Sequence, residues 1–233
     1  NSVIHGGFPG VLTIAEESTA WPKVTGDVED DGLGFSFKWN MGWMHDFCEY
    51  MKLDPYFRKN AHHMMTFAMQ YAYSENYILV LSHDEVVHGK GTILDKMWGN
   101  NDQKFAQYKA LYLYMMTRPG KKLNFMGNEL AEYKEWNEID SLGWNLLDYR
   151  QHADFYKYTK ELNELIKNNP AFYKDDYNHK GFEWCVVDDN LQGVFAYERK
   201  TKSGKVFVCV LNFVENKHNG YKIPVSKKGV YKE

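Results

Sequence analysis

Four short apolar runs, interleaved from the second onward with stretches of helical spacing, constrain this chain more than anything else in it. Val11-Leu12-Thr13-Ile14-Ala15, Gly34 to Trp39, Tyr77-Ile78-Leu79-Val80-Leu81 and Lys122 to Met126 all have strand length. The run 77–81 is apolar throughout, the pattern of a strand buried on both faces of a parallel sheet covered by helices. Between and after these runs, Met44 to Met51 reads as a helix. So does Asn60 to Ser74, where Ala61, Met64, Met65, Ala68 and Ala72 recur every three or four residues. Phe105 to Thr117 follows three N-capping residues, Asn100, Asn101 and Asp102, and stops at Arg118-Pro119-Gly120. Asp154 to Asn168 carries Phe155, Tyr158, Leu162, Leu165 and Ile166 on one face.

These are four successive β/α units, which predicts parallel strands joined by right-handed crossovers. Four units are half of a (β/α)8 barrel. The texture then changes. Phe182 to Val187, Gly193 to Glu198 and Lys205 to Phe213 are β-rich and separated by Asp188-Asp189-Asn190 and Lys202-Ser203-Gly204, which are hairpin signals. The expectation is an α/β domain over 1–172 followed by an antiparallel all-β domain over 173–233. Asn1 to Gly10, with Gly6-Gly7 and Pro9-Gly10, reads as two turns.

Composition removes several function classes. Net charge is -3 with no Lys/Arg block, so no nucleic-acid partner is expected. No apolar run approaches the roughly 20 residues of a membrane span, and no signal-peptide pattern is visible. Cys48, Cys185 and Cys209 are an odd, sparse set that reads as reduced thiols in a cytoplasmic protein. A disulfide between Cys185 and Cys209 is the alternative. Aromatic residues reach 16%, an excess that suits both core packing and the stacking of sugar rings on Trp and Tyr faces.

Two of the strand runs end in carboxylates. Glu16-Glu17-Ser18-Thr19 follows the first, and Ser82-His83-Asp84-Glu85-Val86-Val87-His88-Gly89-Lys90 follows the third. The carboxyl ends of strands are where parallel α/β folds place chemistry. The competing readings are a capped loop for 82–90 and a helix-dipole carboxylate for Glu16. Spacing weakens a zinc-protease reading of this stretch. His83 and His88 are five residues apart, roughly 140° around a helix, where His-Glu-x-x-His needs i and i+4. His62 and His63 are adjacent and read as surface or packing residues. Trp43, placed in a loop after the second strand, is either core or a sugar platform. No cluster of oxygen ligands suggests calcium, so neither metal nor cofactor is expected.

The segments Thr13 to Thr19, Phe37 to Asp46, Leu81 to Lys90 and Phe125 to Glu129 resemble the 1,4-α-glucan (glycogen) branching enzymes of the α-amylase superfamily, in order and spacing, over nearly the whole chain. The resemblance implies strands 5–8 of a (β/α)8 TIM barrel followed by a truncated β-sandwich. It implies a retaining transglycosylation in glycogen biosynthesis: an α-1,4-glucan chain is cleaved and transferred to a 6-hydroxyl. By motif, Glu16 is the general acid/base, Asp84 the third carboxylate and His83 a hydrogen-bonding partner of the same sugar, with Glu17, Trp43 and Glu85 at the substrate. The family's nucleophile is an Asp after the fourth barrel strand, in a motif with an Arg just before it, and no such motif is present. The chain is therefore expected to start after that strand, to stop short of further C-terminal strands, and to be inactive alone. Leu130-Ala131-Glu132-Tyr133 stands where relatives carry Phe-Gly-Gln. The reading from another class is a non-catalytic glucan-binding or assembly module, self-associating through the exposed edges of a half-barrel.

Overall fold

The structure, a computed structural model, describes residues 1–233. Strands β1 (Ile14–Ala15), β2 (Phe37–Trp39), β3 (Tyr77–Leu81) and β4 (Lys121–Asn124) form one parallel sheet in the order β1-β2-β3-β4. Ala15 pairs with Lys38, Trp39 with Ile78 and Leu81 with Asn124. A parallel neighbour requires a long crossover, usually a helix; between β1 and β2 it holds only a 3-10 turn, Val28–Asp30, so the first unit has no helix. Helix α2 (Met41–Lys52) and the short α3 (His63–Thr66) lie between β2 and β3. Helix α4 (Asn101–Thr117) precedes β4, and α5 (Arg150–Asn168) follows it. The alternation read from sequence is present from β2 onward, and β3 has the predicted bounds.

A second sheet, antiparallel in the order β5-β6-β7, comprises β5 (Phe182–Asp189), β6 (Val194–Lys200) and β7 (Val206–Asn212). The two sheets share one core. A single cluster of 28 buried residues takes in Trp43, Phe47 and Met51 from α2, Tyr108 and Tyr114 from α4, Phe155 from α5, and Phe195, Tyr197, Leu211 and Phe213 from the antiparallel part. Polar contacts cross the same junction. Arg58, 1% exposed, donates from Nη1 to the Phe213 carbonyl at 2.9 Å. The Thr117 and Tyr197 hydroxyls meet at 2.6 Å.

Three segments depart from expectation. Residues 60–74 are not one helix but 3-10 turns at Arg58–Asn60 and Phe67–Gln70 flanking α3. The Met65 carbonyl, which a continuing helix would need, accepts instead from Arg118 Nη1 at 2.9 Å and from the Tyr114 hydroxyl. The His62 ring stacks on Phe195 at 4.0 Å and 10°, anchoring the segment to the second sheet. The N-terminal turns are replaced by an exposed helix, α1 (Ser2–Gly7). β1 is shortened to two residues, leaving Val11 and Leu12 exposed. Cys48, Cys185 and Cys209 are all free thiols. No helix is long and apolar enough to cross a membrane.

Candidate active site

Parallel strands carry their following loops at one end of the sheet, so the segments after β1, β3 and β4 emerge on a common rim. β1 and β3 are separated by β2 alone. At one interstrand spacing per step the two strands run about 10 Å apart, but Ala15 is level, through Lys38, with Tyr77, so Leu81 lies four residues, about 13 Å, further along. Glu16 and the His83-Asp84 pair therefore both follow the carboxyl ends of their strands, at different heights on that rim.

Ala15 is buried, and Glu16 directly after it is exposed, with no side-chain hydrogen bond to protein. Glu17 is the opposite case. Lys38, 4% exposed on β2, donates its ammonium to Glu17 Oε2 at 2.7 Å and to the Thr19 carbonyl at 3.0 Å. Glu17 Oε1 accepts the Thr19 N–H at 2.7 Å. The Lys38 hydrogen bond above all, helped by Thr19, holds the Glu17 carboxyl down at about 2. Its two oxygens are committed to the loop. Adjacent Glu16 and Glu17 thus have different environments: one is free, and the other is locked in its ionised form. A cavity of about 570 Å³, lined by Glu17, Trp21, Lys38, Trp39 and Tyr71, opens beside them.

After β3, Ser82 caps a short 3-10 turn, His83–Val86. Ser82 Oγ accepts the Asp84 N–H at 3.2 Å, and the Glu85 carboxylate reaches back to the Ser82 N–H, a reciprocal capping box. The turn aims His83 and Asp84 outward. His83 is exposed, its ring 6.0 Å from Phe125, and Asp84 is half-buried with Lys90 Nζ at 3.7 Å. Lys96, 6% exposed, points its ammonium into the loop and donates to the carbonyls of Glu85, Lys90 (3.1 Å) and Thr92 (3.3 Å).

After β4, Gly127 takes φ 92° and Ala131 φ 54°, folding the chain back under the β3 loop. Asn128, 5% exposed, donates Nδ2 to the Leu81 carbonyl at 3.4 Å. A cavity of about 430 Å³ lies between the two loops, lined by Val86, Ile93, Met126, Glu132, Tyr133 and Trp136 among others. No group of three or more His, Cys, Asp or Glu side chains is placed to hold a metal ion.

Two sequence readings need correction. Trp43 is 2% exposed and stacks on Phe47 at 5.1 Å inside the core, so it offers no face to a sugar. The signal was present: Asn40 is an N-cap whose Oδ1 accepts the Trp43 N–H at 2.9 Å, which puts Trp43 in the first turn of α2 instead of in a loop. Glu85 is 4% exposed and bound to the Ser82 amide, so it shapes the turn and does not reach substrate. Its signal was the S-x-x-E spacing of Ser82 and Glu85. Lys38, Lys96 and Glu135 were not singled out, because their partners are distant in sequence or are backbone groups that composition does not reveal.

The family model described as the alpha amylase C-terminal all-beta domain matches residues 184–233. The chain is 48% identical over 233 residues to the 1,4-alpha-glucan branching enzyme GlgB of Mesorhizobium japonicum, covering 100% of this chain and 32% of that one. It is 50% identical over 232 residues to GlgB of Butyrivibrio fibrisolvens, covering 99% and 36%. The chain thus spans about a third of the length of these relatives. Among solved structures, type I pullulanase from Bacillus subtilis complexed with maltose superposes with a TM-score of 0.61 at 15% identity, over 90% of this chain and 34% of that one. A variant of AmyP in complex with maltotriose gives 0.61 at 13%, over 87% and 45%. At such identities these two speak to fold alone.

Proposed function

We propose, on the premise that this chain belongs over its whole length to the 1,4-alpha-glucan branching enzymes, that it supplies the acid/base side of a retaining transglycosylation site. The parallel sheet is read as strands 5–8 of a (β/α)8 barrel, and β5 to β7 as the start of the C-terminal β domain. In this chemistry a carboxylate displaces the leaving glucan at the anomeric carbon, and a second carboxyl protonates the departing oxygen. Glu16 is that acid. In the second half of the reaction its carboxylate takes the proton of an acceptor 6-hydroxyl as that oxygen attacks the glycosyl intermediate. Asp84 and His83 hold hydroxyls of the distorted sugar. Glu17, ionised and tied to Lys38, fixes the backbone from which Glu16 projects. The attacking carboxylate is assigned to no residue of this chain.

The observation that carries this reading is the common rim on which Glu16 and His83-Asp84 emerge, in a chain about 48% identical to branching enzymes from end to end. The free thiols fit a cytoplasmic setting. Two assays test it. The chain alone should bind α-1,4-linked maltooligosaccharides, perturbing the His83 imidazole by NMR, and should form no α-1,6 branches from amylose. In a polypeptide that also carries the nucleophile, Glu16→Gln should lower the branching rate by a factor on the order of 10² to 10⁴, the usual contribution of general acid/base catalysis. Branching by the purified chain, or full activity of the Gln variant, would overturn the assignment.

One observation favours the second reading, an assembly module. β1 and β4 each have a single hydrogen-bonded neighbour, so both edges of the parallel sheet are open. A second copy related by a two-fold axis along the strands would set β4 of each against β1 of the other, parallel at both seams. Light scattering decides: a dimer supports this arrangement, and a monodisperse monomer sinks it.

A further inference from the structure

We propose that Glu135 is a positioning residue: its carboxylate fills an anion-binding hollow of backbone amides in the β3 loop and latches His83 and Asp84 to the loop after β4. His88, Gly89 and Gly91 have φ of 59°, 81° and 72°. Closely spaced left-handed residues turn their N–H groups to one side and make a concavity suited to an anion. The Gly89 N–H donates to Glu135 Oε2 at 3.0 Å and the Gly91 N–H to Oε1 at 2.6 Å, one amide per oxygen. Hydrogen bonds to an ionised acceptor are about twice as strong as neutral ones. The hollow is therefore already occupied, by a side chain from a different loop.

The neighbouring contacts make the latch continuous with the reacting groups. The next residue, Trp136, donates its N–H to the Val86 carbonyl at 2.9 Å, and its ring meets Phe125 edge-on at 5.2 Å. Phe125 in turn faces the His83 ring. On the far side, Lys96 gathers the carbonyls of Glu85, Lys90 and Thr92, so the loop is held by its amides from above and by its carbonyls from within. Lys90, between the two latched glycines, is the residue whose ammonium stands 3.7 Å from Asp84. Releasing Gly89 and Gly91 would free that ammonium and with it the setting of Asp84. The charged groups acting on Glu135 are His88 on the latched loop and Lys96 below it. The two amides hold the carboxyl below its ordinary range, so the latch stays closed at neutral pH and opens only in acid.

The test is an amide ¹H–¹⁵N titration of the chain and its Glu135→Gln variant, paired with maltoheptaose affinity. In the parent chain the Gly89 and Gly91 amide protons should lie downfield. They should move upfield together as pH falls through a single midpoint below 4.5, the ordinary glutamate value. In Glu135→Gln, whose side chain offers one acceptor and turns an NH₂ toward the other amide, both resonances should be upfield and independent of pH while the rest of the spectrum is retained. Maltoheptaose affinity should fall roughly tenfold, the scale of one lost charge-assisted hydrogen bond. The affinity arm rests on the glucan reading above, and the amide arm does not. Parent amides that fail to titrate with Glu135 overturn the latch, whatever the glucan result. Parent amides that titrate while no maltoheptaose binds sink the glucan reading and leave the latch standing. An unchanged affinity in a variant whose amides have moved removes the positioning role.

Discussion

The Arg199 guanidinium and the Asp176 carboxylate meet at 3.0 Å with 0% and 2% of their side chains exposed, at the junction of the two sheets. Arg199 also donates to the Thr117 carbonyl at 2.7 Å and to Gly181 at 3.1 Å, and Lys121 reaches the second Asp176 oxygen at 3.1 Å. Asp176→Ala would leave a buried guanidinium without its counter-charge. The expected loss is about 3–5 kcal/mol of unfolding free energy by urea denaturation. Replacing both partners with apolar residues of similar size should recover most of it, because a buried pair is worth far less than one abandoned charge.

Glu17 should titrate at about 2 by carbon-detected NMR, against an ordinary 4.5. Because its folded value is depressed, its contribution to stability is present above 4.5 and disappears as pH falls toward 2. Lys38→Met removes the principal cause and should return the midpoint toward 4.5. An unmoved midpoint would assign the shift to the Thr19 amide instead.

His62 tests the junction at milder pH. Burial holds its imidazole below the ordinary 6.5, and its Nε2 faces the Val187 carbonyl at 3.1 Å. Asp188, Asp189 and His63 are the other groups acting on it. An unfolded chain takes up a proton near 6.5 that the folded one refuses, so stability should decline as pH falls below 6.5. His62→Phe keeps a ring to stack on Phe195 and lacks the titration. The stability difference between parent and variant should therefore shrink, or reverse in sign, between pH 7 and 5.

Ala131 occupies φ 54°, ψ 53°, where its Cβ crowds the following carbonyl. An L-residue there costs about 1–2 kcal/mol, and its buried methyl contributes about 0.8 kcal/mol. Ala131→Gly should be stabilising by up to about 1 kcal/mol in the difference between these opposing terms. A loss of stability in thermal unfolding would show that the methyl's packing dominates.

Local pattern sufficed wherever a single element satisfied itself. Tyr77–Leu81 is apolar because both its faces are covered, and α4 begins at Asn100 because that side chain accepts the Gln103 N–H. The three hairpin strands are punctuated by their own turns. Legibility ended where a distant partner decided. The periodicity of 60–74 gave no warning that Arg118 would take the Met65 carbonyl, 53 positions earlier in the chain. At the rim, Glu16, His83 and Asp84 were visible as polar residues at strand ends. Which carboxylates are free and which are committed depended on Lys38, Ser82 and two glycine amides. No spacing rule singles out a glutamate whose partners are N–H groups 44 and 46 residues away.

The shared core has a consequence for the order of events in the living cell. Phe195, Tyr197, Leu211 and Phe213 belong to the same cluster as Trp43 and Tyr114, and the Arg58 guanidinium finds its carbonyl partner 155 residues downstream. While ribosomes are still making this polypeptide, helices α2 and α4 have emerged but their apolar covering has not yet been translated. Domains ordinarily fold from the N-terminus as they are synthesised. Here the core that α2 and α4 build cannot be completed in that order, because Phe195, Tyr197, Leu211 and Phe213 are synthesised last.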